Sequence, residues 1–123
     1  MKEEANISEL FRKIHEVFIA RGTVFPIGGV RSRAIELTDY RVADGAENDA
    51  FLHATLKIAA GRSDEVKKEV CDALFEVIKE HFAEIMSKRY LALSMELVEF
   101  SEAGSYKHNN IHSRFKKNDQ IKG

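Results

Sequence analysis

Apolar positions along the chain recur with two different periods. Ile7, Leu10, Phe11, Ile14, Val17 and Phe18 fall at helical spacing and share one face, which predicts a helix from Asn6 to about Arg21. Asn6 is placed to cap it, with Glu9 three residues on, as in a capping box. Residues 30–40 alternate instead: Arg31, Arg33, Ile35 and Leu37 lie on one face and Ser32, Ala34 and Glu36 on the other, the pattern of a strand. Residues 41–49, with Asp44-Gly45 and Asn48-Asp49, read as a polar turn or hairpin connection. Residues 50–60 form the clearest strand, with Leu52, Ala54, Leu56 and Ile58 on its core face and Phe51, His53, Thr55 and Lys57 opposite. Gly61-Arg62-Ser63 closes it. Ser63 is a good N-cap, and Asp64 and Glu65 suit the positive end of a helix running to about Lys88. That helix is expected to bury Val66, Val70, Ala73, Leu74, Val77, Ile78, Phe82, Ile85 and Met86. A third alternating strand spans residues 91–100.

Helix, strand, strand, long helix, strand is the order of a small α+β layer with helices on one sheet face. The opposite sheet face, carrying Phe51, His53, Thr55 and Lys57, is neither cleanly polar nor apolar. So few elements bury little surface alone, which predicts an oligomer.

The 123 residues argue for one domain, and 44% apolar residues suffice for a core. Nineteen basic residues stand against 20 acidic ones, a formal net charge of −1, so nothing favours a polyanion such as nucleic acid. One cysteine excludes an internal disulfide framework. No membrane-spanning stretch and no signal peptide are present, which makes a cytoplasmic protein the expectation and a membrane partner unexpected.

The candidate chemistry is cationic. Phe25-Pro26-Ile27-Gly28-Gly29-Val30-Arg31-Ser32-Arg33 holds the single proline and two of seven glycines, a pair that permits conformations closed to other residues or a close approach of another chain or ligand, followed by two arginines that point the same way. Arg62 lies on a second turn, just before a helix N-terminus whose free N–H groups also favour anions. Guanidinium groups on two turns suit an anion, such as a dicarboxylate. The alternative for Arg31 and Arg33 is an ordinary surface pair. Other polar residues carry less. His15 reads as a solvated or flanking histidine and Cys71 as an inert thiol. Asp44, Glu47 and Asp49 match no calcium loop. His108 and His112 are four apart, but no Cys or acidic residue completes a metal site, so neither metal nor cofactor is expected.

The nine-residue turn motif closely resembles the 5-carboxymethyl-2-hydroxymuconate isomerases, as do Val42-Ala43-Asp44-Gly45, Thr55-Leu56-Lys57-Ile58, Ala60-Gly61-Arg62-Ser63 and Lys107-His108-Asn109-Asn110-Ile111-His112. The likeness runs from Glu3 to Phe115, implying a single tautomerase-like domain over residues 1–115 and a flexible tail over 116–123. It implies the tautomerase fold, βαβ units in one mixed sheet assembled as homotrimers. It also implies a cofactor-independent isomerase of aromatic (homoprotocatechuate) degradation, which shifts a proton between carbons of a muconate carrying two or three carboxylates. By that resemblance Arg31 and Arg62 would be catalytic, and Arg31, Arg33 and Arg62 would bind the substrate's carboxylates and steady a dienolate.

The resemblance also implies an amino-terminal proline as general base, at the start of a first strand. This sequence begins Met1-Lys2-Glu3-Glu4-Ala5, directly at the first helix. Either the start is assigned too late or the chain is shortened, or the strand and proline have been lost. In the last case the expectation is a catalytically inactive trimeric binding protein for an acidic ligand.

Overall fold

The computed structural model describes residues 2–115. A short helix α1 (Lys2–Ala5) leads into α2 (Ile7–Ile19). Asn6, the residue between them, adopts a left-handed conformation (φ 44°) and makes no side-chain cap bond, so the expected capping box does not form. Glu9 is drawn to Arg12 instead, whose guanidinium also reaches Glu16. A 3₁₀ turn at Ile27–Gly29 follows. Two ten-residue strands, β1 (Ala50–Ala59) and β2 (Leu91–Phe100), are joined through α3 (Asp64–His81) and a short α4 (Ala83–Met86).

β1 and β2 pair in parallel from Ala50↔Leu91 to Ala59↔Phe100. The α+β class therefore holds, but the sheet is a parallel pair rather than a mixed one among the described residues. Leu52 stands beside Leu93 and Leu56 beside Leu97, so both strands turn one apolar face to the helices. Two connected core clusters fill that space. Phe18, Phe25, Ile58, Val70 and Leu74 form one; Ala5, Leu10, Ile78 and Phe82 form the other. Val70, Ile78 and Phe82 are sealed from solvent, each contributing about 1.5–3 kcal/mol by burial. Ser63 caps α3 as its sequence predicts, its hydroxyl accepting the Val66 N–H at 3.2 Å.

Three expectations are corrected. The long helix leaves helical dihedrals at Phe82 (φ −98°, ψ 7°), where that side chain is fully buried, and continues as α4. Met86, assigned to its buried stripe, is exposed because it lies beyond that break. Residues 30–40 form no strand ladder. The segment is exposed throughout 31–40, with Ile35 80% accessible, because no neighbouring strand within the described residues takes up its backbone groups.

Candidate active site

The turn motif is built on Phe25. Its ring is buried, meets Phe18 edge-on at 5.3 Å between centroids, and anchors the chain before Pro26. From there the 3₁₀ turn is closed by Gly29 N–H to Pro26 O and Val30 N–H to Ile27 O, both 3.1 Å. Arg31 follows immediately.

Arg62 reaches the head of this same turn. Its guanidinium carbon lies 4.4 Å from the centre of the Phe25 ring. Nη2 donates to the Val24 carbonyl at 2.9 Å and Nη1 to the Ala59 carbonyl at 3.2 Å. Nε is buried and has no partner among the described residues. Gly61 makes this reach possible by leaving β1 at φ 120°, where a side chain is strongly disfavoured.

Arg31 and Arg33 are exposed and meet no ion-pair partner among the described residues. Ser32, between them, is held by His15 of α2, with Nε2 and the hydroxyl 2.8 Å apart. His15 thus flanks the arginine segment and is bonded to it. The structure therefore brings Arg62 to one end of the turn, leaves Arg31 and Arg33 open at the other, and shows no direct contact between the two groups. A cavity of about 340 Å³ lies between α2 and α3, lined by Lys13, Glu16, Val17, Val77 and Glu80, and the arginines take no part in it.

Sequence reasoning missed the part played by the C-terminal segment. Asn109 donates from Nδ2 to the Gly28 carbonyl at 2.9 Å. His112 packs on the same turn so closely that a Cβ on Gly28 would lie 2.6 Å from its Nδ1. Gly28-Gly29 had signalled a close approach of chain or ligand; the approaching group is His112. Among the described residues, no three His, Cys, Asp or Glu side chains cluster as a metal site would need.

A parallel strand pair bridged by a helix, with Arg62 on the connecting turn, is a βαβ unit, as the tautomerase resemblance implies. A family model for 5-carboxymethyl-2-hydroxymuconate isomerase matches residues 1–115, and the chain belongs to that family. It is 43% identical over 116 residues to a 5-carboxymethyl-2-hydroxymuconate Delta-isomerase of Escherichia coli, an alignment covering 94% of this chain and 91% of that protein. It also resembles the crystal structure of a 5-carboxymethyl-2-hydroxymuconate isomerase from Deinococcus radiodurans R1. There the TM-score is 0.88 and the identity 51%, over 91% of this chain and 84% of that one. A second solved 5-carboxymethyl-2-hydroxymuconate delta-isomerase, 22% identical over 89% of this chain and 82% of that one, shares the fold with a TM-score of 0.78.

Proposed function

We propose that the protein isomerises 5-carboxymethyl-2-hydroxymuconate, moving a proton between carbon positions without a cofactor, as a single domain over residues 1–115. The observation that carries this reading is the family match over residues 1–115, within which both arginine-bearing turns fall. Arg31 and Arg62, with Arg33 in support, are assigned to the substrate. Guanidinium groups match carboxylates in shape and charge. A general base takes the proton next to the carbonyl and returns it at the other carbon; by the resemblance that base is an amino-terminal proline, which this sequence does not include. The dienolate left between the two steps carries an oxyanion that a fixed cation stabilises more than it does the ground state. Arginine stays charged and accepts no proton, so its part is binding and charge stabilisation.

The exposed arginines support completion of the site by a second copy. The sheet face opposite the helices is uncovered and holds Phe51 and Phe100 beside His53, Lys57 and Glu96. We assign that face to a homotrimer. No helix among the described residues is long and apolar enough to cross a membrane. A cytoplasmic location is part of the proposal and rests on the sequence reading alone.

The test follows absorbance of 5-carboxymethyl-2-hydroxymuconate with wild-type protein, Arg31→Ala and Arg62→Ala. Turnover by the wild type, with kcat/KM down at least 10²-fold in each variant, is the expected result. No turnover by the wild type, with or without a Met-Pro extension upstream of Met1, refutes the activity, and undiminished variants refute the arginine assignment.

A further inference from the structure

The segment after β2 crosses back over the molecule and ends against the turn that precedes Arg31. Asn109 makes two directional bonds. Its Nδ2 donates to the Gly28 carbonyl at 2.9 Å, and its Oδ1 accepts the Ile111 N–H at 2.7 Å, which shapes its own segment into a local turn. Residues 111–115 are helical from there, and His112 packs against Gly28-Gly29. The fit leaves no room: a Cβ on Gly28 would stand 2.9 Å from both the backbone N and Cα of His112. The contact joins residues 81 apart in sequence.

Gly28 is three residues before Arg31. Beyond Val30 the chain is exposed, and its next described tether is the His15–Ser32 bond. The backbone that carries Arg31 thus runs from the braced Gly28-Gly29 turn, through Val30 packed on the Phe18 and Phe25 core cluster, to the Ser32 tether. We infer that Asn109 and His112 are positioning residues for Arg31, fixing the Gly28-Gly29 turn from which its guanidinium is aimed at the substrate. This rests on the assignment of Arg31 to the substrate made above. A displacement of about 1 Å in a charge-stabilising group can cost roughly 10²-fold in rate. The brace therefore matters for turnover far more than its single hydrogen bond matters for stability.

Asn109→Asp separates these effects. The carboxylate keeps an acceptor for the Ile111 N–H and loses the donor to Gly28. His112→Ala removes the packing and keeps the Asn109 bond. Each variant is expected to lower kcat/KM by about 10–100-fold with little change in the thermal midpoint, while His108→Ala, an exposed neighbour, stays at the wild-type value. In an Arg31→Lys background Asn109→Asp is expected to add no further loss, because both act through one group. Additive losses in that background overturn the inference, as do unchanged rates in an active protein. Amide hydrogen exchange at Gly29, Val30 and Arg31 is measured alongside and is expected to quicken in Asn109→Asp. If the wild-type protein fails to turn over the muconate, the proposed function falls. Exchange then still decides the brace, and protection unchanged by Asn109→Asp overturns it.

Discussion

The guanidinium of Arg62 covers the ring of Phe25 at 4.4 Å while one of its nitrogens holds the Val24 carbonyl at 2.9 Å. A turn between a strand and a helix is thereby locked to a turn more than thirty residues earlier. The same side chain serves structure and, in our reading, substrate. Two of its nitrogens are engaged by carbonyls, and the buried Nε remains without a partner among the described residues.

Arg62→Lys tests the structural share. Lysine keeps the charge but not the fork that spans Val24 and Ala59. Hydrogen bonds from a charged donor contribute about 1.5–3 kcal/mol, and the contact over Phe25 adds about 0.5–1 kcal/mol. A loss of about 2 kcal/mol in urea unfolding is expected, together with a lower kcat/KM. Unchanged unfolding would show that the bonds to Val24 and Ala59 contribute nothing to the folded state.

Much of this fold was legible because burial followed period. Leu52, Ala54, Leu56 and Ile58 alternate and do face the core; Val70, Leu74 and Ile78 recur at helical spacing and are buried. Ser63 announced its helix through a local bond that needs no tertiary context. Residues 30–40 alternate just as clearly, yet make no ladder, because strand formation depends on a neighbour that the pattern cannot supply. The arginine turns could be picked out as cation-bearing loops. The brace on Gly28 could not, because nothing in the local sequence of Asn109 and His112 names a partner 81 residues away. The surviving signal was the glycine pair itself, which advertised a close approach without saying by what.

Gly61 offers a test of backbone geometry alone. Its φ of 120° lies where side chains are strongly disfavoured, yet a Cβ there would meet nothing within 4 Å. Gly61→Ala therefore adds strain without a collision, an expected cost of about 1–3 kcal/mol. Because Arg62 is the next residue, some of that strain can be relieved by rotating the turn. In that case the unfolding free energy changes less and kcat/KM falls more. Wild-type values of both would contradict the strain argument.

The uncovered sheet face makes the assembly testable. Thr55 and Val98 sit on it, beside Glu96 and Lys57 respectively across the β1–β2 pair. Burying a like-charge pair is costly, so Thr55→Glu, placed against Glu96, is expected to dissociate the proposed trimer with the protomer still folded. Sedimentation equilibrium at micromolar protein distinguishes the two states. A wild-type monomer sinks the assignment of this face, and a Thr55→Glu trimer moves the interface elsewhere.

Cys71 provides a prediction in pH. The thiol is half-buried on α3 beside the core cluster of Val70 and Leu74. Burial first, and the Asp72 carboxylate second, disfavour the thiolate and raise the thiol pKa above its ordinary value. The folded state therefore holds this proton to higher pH than the unfolded chain, whose thiol ionises near pH 8.5. Below that value both states carry the proton and the contribution of the buried neutral thiol is complete. As pH rises through the folded-state value it is lost, since the unfolded chain gives up the proton first. Relative to Cys71→Ala, wild-type stability should fall more steeply above about pH 8.5 and run parallel below it. Alkylation by iodoacetamide should be slow at neutral pH and accelerate only at pH values above those of an unfolded control. A Cys71 that reacts at neutral pH as fast as the denatured chain would contradict the burial on which this argument stands.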